Sequence, residues 1–268
     1  MRHKNTDRRA CAWALAACMA LAACQGGSTM REEDFRQLET EKIIPLTSDK
    51  DAPTCRIDIT VDELNDTGAV AGKINRTIAE AAFGGRPASL PAAMDSFCQA
   101  YGERYKRELA KLYRADMKSK VSTAWYDYKY RISTEYKDGP GNGFCYLVHK
   151  TRYEGGAREY HEVQCLNFDR QTGELIQLDD VFLPTYPALL QPLLLQELLS
   201  AFDCRDTDEL HAKGILRLTD IYVPANFELG RDGITFIYNA DEIAPFETGT
   251  VQLTVDYDQM KPFMKQTK

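Results

Sequence analysis

The sequence predicts an α+β fold, an antiparallel sheet meander with helices packed on it, arranged as two small α+β subdomains. Three observations carry this. Apolar and polar residues alternate with period two near residues 35–61, 122–178 and 226–255, whereas helical spacing marks 65–114 and 187–214. The two patterns come in blocks and do not alternate as βαβ units. Finally, of 268 residues, removal of 1–23 leaves 245, enough for one large or two small domains, and 44% hydrophobic with 10% aromatic residues can fill a core.

The N-terminus gives an address. Arg2, Lys4, Arg8 and Arg9 precede an apolar stretch, Ala10 to Ala23, whose fourteen residues are too few to span a bilayer and fit a secretory signal. The end of that stretch, Leu21-Ala22-Ala23-Cys24, followed by Gln25-Gly26-Gly27-Ser28, resembles a bacterial lipobox, in which the cysteine is acylated and becomes the first residue. The same tetrapeptide at Leu15 to Cys18 leaves only eight apolar residues upstream, so Cys24 is the lipid-attachment residue expected. Two or three acyl chains at about 0.8 kcal/mol per buried methylene make a stable anchor. The expectation is therefore a lipoprotein signal peptide at 1–23, a polar tether at 24–34 and subdomains at 35–164 and 165–268. Gln25 suits outer-membrane sorting in a Gram-negative cell.

Residues 1–23 carry four basic residues and one acidic one, so the remainder has 29 basic and 39 acidic residues, a net charge of −10. An acidic chain without a basic cluster argues against a nucleic-acid partner. Five cysteines stay with the processed chain, Cys55, Cys98, Cys145, Cys165 and Cys204, an odd number with no CxxC spacing.

The elements follow in order. Phe35 to Thr47 and Thr54 to Val61 read as strands. Asn65 to Thr67 offer caps to a helix striped by Val70, Ile74, Ile78 and Ala81, which Gly84-Gly85 ends. A longer helix starts near Pro91 with Met94, Phe97, Cys98, Tyr101, Tyr105, Leu109 and Leu112 on one face. Tyr126, Tyr128, Tyr130 and Ile132 then share one strand face, a stripe that reads as core, although with Trp125 it could also stack a sugar. Phe144 to Tyr153, Ala157 to Phe168 and Glu174 to Leu178 are further strands. A leucine-rich helix, Pro187 to Phe202, should kink or restart at Pro192; Asp206 to Glu209 looks like a capping box and Gly214 a stop. Asn226 to Leu229, Ile234 to Asn239 and Thr250 to Val255 are strands again.

The stretch YEGGAREYHEVQC, Tyr153 to Cys165, places a double glycine between two period-two runs and reads as a hairpin. A three-residue turn centred on Gly155 sets Cys145 opposite Cys165, Leu147 opposite Val163 and His149 opposite His161. That register allows a Cys145–Cys165 bridge or a His–His chelate, and a shift of the turn would uncouple both. All four cannot share one ion, because residues four apart on a strand are separated by about 13 Å. No metal is expected at this hairpin. A phosphate loop would need a helix to follow, and a strand follows.

Beyond the hairpin, an ordered series of segments resembles an uncharacterised envelope domain pair. The pair is found in the lysozyme-sensing anti-sigma factor RsiV and in the N-terminal part of the peptidoglycan deacetylase PdaC. The segments are Ile74-Asn75, Trp125 to Tyr128, Tyr153 to Ala157, Leu166 to Asp169 with Thr172 to Glu174, Leu178 to Phe182, Asn226-Phe227, Asp232 to Tyr238 and Glu242 to Gly249. The chain departs from the pattern at Arg158, where the family usually has histidine, and at Phe246, where it usually has tyrosine. What the resemblance implies is an extracytoplasmic recognition domain without chemistry or cofactor of its own, its partner a protein such as a lysozyme-like cell-wall enzyme, or peptidoglycan.

The contact surface expected from the residues is the loop Asp241 to Gly249, where Asp241, Glu242, Ile243, Pro245 and Phe246 join acidic and apolar character to a rigid proline. Gly155, Gly156 and Arg158 at the hairpin are the second candidates. The bland alternative for the loop is a packed connection between strands. For the whole chain, the alternatives are a cell-wall hydrolase or a structural lipoprotein without a specific ligand. Against catalysis stand three histidines, His149, His161 and His211, the lack of a G-x-S-x-G motif, and an Asp179-Asp180 pair that reads as a helix cap.

Overall fold

The computed structural model describes residues 30–119 and 122–266, so residues 1–23 and the expected lipid-attachment residue Cys24 lie outside the described residues. β1 (Phe35–Pro45) and β2 (Thr54–Leu64) form an antiparallel hairpin. In β2 the alternation works as written: Cys55, Ile57, Ile59 and Val61 are buried, with Arg56 and Asp58 on the opposite face. Two helices follow, α1 (Ala69–Phe83) and α2 (Leu90–Ser119). The residue preceding α1 is Gly68, with no side-chain cap, and the helix ends where Gly84 adopts φ +76°, a conformation glycine enters at no steric cost. In α2, Met94, Cys98, Tyr101, Tyr105 and Leu109 are buried as their spacing requires. Leu112, however, is 52% exposed, and Tyr113 continues the buried stripe by another four-residue step.

The chain then forms β3 (Tyr128–Asp138), β4 (Gly143–Glu154) and β5 (Tyr160–Asp169), completing a sheet of order β1-β2-β3-β4-β5. The expected antiparallel meander is broken once, because β2 and β3 run parallel. The long connection through α1 and α2 returns the chain to the end of the sheet where β2 began, which a tight hairpin cannot do.

The second half holds three short helices, α3 (Leu178–Val181), α5 (Thr207–Ala212) and α6 (Tyr257–Met260), and the longer α4 (Tyr186–Ala201), which continues through Pro192 without a break. Asp206 accepts the Glu209 N–H at 3.0 Å, the cap its sequence suggested, and Gly214 at φ +82° follows the end of α5 by two residues. β6 (Phe227–Leu229), β7 (Gly233–Tyr238) and β8 (Val251–Asp256) make a three-stranded antiparallel sheet. Among the described residues no helix is long and apolar enough to cross a membrane.

Two cores result, one drawn from Leu46 to Phe168 and one from Leu178 to Phe263. The division expected between residues 164 and 165 falls inside β5, and the change of core comes after that strand ends. A third apolar cluster, Cys145, Leu147, Cys165 and Ile237, lies where the two units meet.

Asparagines close that seam. The free edge of β5 faces β6, and three side-chain amides take the place of a paired strand. Asn226 accepts the Cys165 N–H (2.8 Å) and donates to the Val163 carbonyl (2.7 Å). Asn239 accepts the Val163 N–H (2.8 Å). Asn167, only 3% exposed, donates to the Phe227 carbonyl (2.7 Å) and accepts the Leu229 N–H (2.9 Å). An amide carries both a donor and an acceptor, so each can satisfy backbone that a sheet edge would otherwise leave bare.

Candidate functional site

The YEGG segment is held by contacts at three points. The Tyr153 hydroxyl donates to the Gly156 carbonyl at 3.0 Å. The Glu154 carboxylate accepts from the Tyr101 hydroxyl (2.7 Å) and the Arg104 guanidinium (2.6 Å), tying the end of β4 to α2. Gly155 has φ +75° and lies so close to the Trp125 carbonyl that a Cβ there would run into it. These ties draw the tip towards α2 and lengthen the loop. β5 therefore begins only at Tyr160, opposite Arg152.

This moves the register by two residues from the one expected. Cys145 lies opposite Asn167, Leu147 opposite Cys165, His149 opposite Val163 and Thr151 opposite His161. The His149–His161 facing pair does not form. Cys145 and Cys165 remain neighbours, but diagonally, with sulfurs 2.7 Å apart as free thiols. Among the described residues no group of three or more His, Cys, Asp or Glu side chains could hold a metal ion.

The loop from Asp241 to Gly249 divides into two parts. Ile243 is 4% exposed and belongs to the second core, its carbonyl accepting the Leu216 N–H at 2.7 Å, so it is not a contact residue as expected. Pro245 rests against Gly214. Asp241 and Glu242 stay exposed, Asp241 at φ +68° and Glu242 accepting the Tyr222 hydroxyl at 2.9 Å. Burial first, then the Glu242 carboxylate, push that hydroxyl's pKa up to about 12, so it stays a donor across the physiological range. Phe246 opens a 3₁₀ turn, Phe246–Thr248, and is half-buried.

The two candidate segments meet. The Phe246 ring lies 5.0 Å from the half-exposed Tyr160 ring at 71°, an edge-to-face pair. Arg158 sets its guanidinium 5.0 Å over Phe246 and bonds Glu247 at 2.8 Å, while Arg152 lies 5.4 Å over Tyr160. The two departures from the resembled pattern, Arg158 and Phe246, are thus in contact with each other. A cleft of about 340 Å³ opens beside them, lined by Lys150, Arg152, Tyr160, His161 and Glu162 of β4 and β5 and by Asn239, Ala240 and Glu242 of the second unit. Sequence reasoning missed Tyr160 and Arg152. Their signal was present, since an exposed aromatic and an arginine flank the glycine pair, but their pairing depends on the longer loop.

Other candidates disperse. Tyr126 is fully buried and its hydroxyl donates to Asp116 (2.8 Å), and Trp125 stacks on it with centroids 3.7 Å apart, so the Tyr126 ring cannot receive a sugar. His149 lies 3.6 Å from Glu135, and His161 lies 3.6 Å from Glu159 and 3.3 Å from Thr151 on an exposed strand face. His211 lies in α5, in the other unit.

The architecture is that of a two-unit α+β protein whose units share one surface at the end of a long hairpin. Residues 179–258, most of the second unit, match the profile of a family described as "Protein of unknown function (DUF3298)". Among solved structures, the chain is similar to a crystal structure of a member of the DUF3298 family from Bacteroides fragilis NCTC 9343. That likeness has 26% identity over 87% of this chain and 93% of the other, with a TM-score of 0.80. A DUF3298 family protein from Pseudomonas aeruginosa PAO1 shares the fold alone, at 16% identity over 86% and 94% of the chains and a TM-score of 0.58. No curated protein matches the chain.

Proposed function

We propose that this chain is a lipid-anchored cell-envelope protein, held in the outer membrane of a Gram-negative bacterium through Cys24. In this reading its folded part recognises a protein or cell-wall glycan without catalysing a reaction. The observation that carries the reading is the meeting of Arg158 and Tyr160, from the first unit, with Phe246 and Glu247, from the second. Aromatic and arginine side chains held rigidly side by side are the residue types that dominate binding energy at interfaces. The Glu154 and Gly155 ties lower the ordering cost of binding.

The polarity of the fold supports it. Met30, the first described residue, is held by Arg170 through its carbonyl (2.9 Å) at the end of the sheet where β4 begins. The candidate surface lies where β4 ends, at the far end of a strand of 12 residues, whose eleven steps at about 3.3 Å each span roughly 36 Å. The six residues from Cys24 to Met30 reach at most about 20 Å. An anchor at Cys24 therefore keeps the base at the membrane and presents the tip away from it.

Cys24→Ser is expected to leave an unprocessed precursor or a protein released from the membrane fraction. Fractionation and mass spectrometry of the N-terminal peptide read this directly. Normal processing and membrane retention of the variant, with no acyl mass on the wild type, would reject the anchor.

A further inference from the structure

We propose that Cys145 and Cys165 are a modification site, joined in the mature protein as a disulfide formed before the seam between the two units closes. This rests on the envelope reading for its oxidising compartment, and otherwise on geometry. Among the five cysteines described, these two have sulfurs in contact, at 2.7 Å. They sit on the same face of adjacent strands, Cys165 opposite Leu147 and Cys145 opposite Asn167. Ile237 of β7 and Val163 pack over them. The Cys145 thiol also donates to the Asn167 side-chain oxygen (2.9 Å), the same oxygen that accepts the Leu229 N–H across the seam. Oxidation removes that S–H donor and leaves the oxygen satisfied by Leu229.

Burial sets the order of events. Cys145 is wholly buried and Cys165 is 8% exposed, so neither oxidant nor reductant reaches them once the second unit has docked. The Cys145 contact, then burial, hold the Cys165 thiol far above its ordinary pKa, which leaves no thiolate to attack a disulfide in the folded protein. Exchange therefore belongs to the unfolded or half-folded chain. One cysteine thiolate attacks the disulfide of a thiol–disulfide oxidoreductase, giving a mixed disulfide and releasing one enzyme thiolate. The second cysteine then displaces the other enzyme sulfur. One Sγ–Sγ bond forms, two protons are lost, and two electrons leave on the enzyme as its dithiol.

The test maps disulfides in full-length protein without reduction, after alkylation in denaturant. One sample is extracted from the membrane fraction of producing cells, and a second is fully reduced, denatured and refolded in glutathione redox buffer. The expected result is a Cys145–Cys165 linked peptide in both, resistant to phosphine reductant until denaturant is added. Cys145→Ala/Cys165→Ala should lower the Tm of the oxidised protein by roughly 5–10 °C. A link from either residue to Cys55, Cys98 or Cys204, free thiols in both samples, or rapid reduction of the folded protein overturns the proposal. A bond in the refolded sample with free thiols in the extracted one also overturns it, and places the failure in the envelope reading instead of in the pair.

Discussion

Asn226→Ala is expected to cost about 1–3 kcal/mol of stability at the seam. The variant removes an acceptor from the Cys165 N–H and a donor from the Val163 carbonyl. An unsatisfied buried backbone group costs about 1–3 kcal/mol, and the Cys165 N–H is the one released here, because the Val163 carbonyl keeps the Asn239 amide at 3.2 Å. For a chain of this size that is a fall in Tm of roughly 2–12 °C. Asn226→Asp separates the two bonds, because a carboxylate still accepts from Cys165 but cannot donate to Val163. Its loss should fall between those of wild type and Asn226→Ala in a urea titration. A neutral Asn226→Ala would mean that water replaces the amide and that the units are not stapled there.

Gly155→Val should be more damaging, by a different route. A residue at φ +75° costs about 1–2 kcal/mol without glycine, and the added side chain must displace the Trp125 carbonyl. A loss of about 3 kcal/mol or more is expected, with the tip moved off Trp125. The chain holds two tryptophans, Trp13 and Trp125, so in protein made without residues 1–23 Trp125 is alone and its emission reports on the tip. A shifted emission maximum with lowered Tm is the expected outcome. An unshifted maximum would show that the tip is not held against that carbonyl.

The elements most legible in the sequence were those set by local pattern. Ile57, Ile59 and Val61 alternate because β2 has one buried face, and Asp206 to Glu209 caps α5 through contacts three residues apart. What could not be read was set by contacts distant in sequence. The hairpin register moved by two because Glu154 bonds α2 and Gly155 meets Trp125, neither visible in the turn itself. The loop at 241–249 reads either as an exposed contact surface or as a packed connection, and nothing local says that Ile243 enters a core while Phe246 does not. Asn226 and Asn239 carry the composition of turns, so their role as substitute strand partners had no local signal. The parallel pairing of β2 and β3 was hidden for the same reason, since only the path of the intervening helices decides it.

Capture by the Phe246→Ala variant tests the central claim most directly. Phe246 packs on Tyr160 and under Arg158 at the edge of the second unit and is not a member of either core. Its truncation should therefore leave the fold standing, with Tm lowered by a few degrees at most. An anchor of this kind contributes roughly 2 kcal/mol or more to binding. The wild-type and variant proteins would be used in parallel to capture ligands from envelope extract, protein by mass spectrometry and peptidoglycan by sedimentation. The account predicts one bound species that falls about thirtyfold with the variant while both proteins melt cooperatively. Undiminished capture by a folded Phe246→Ala variant would contradict it.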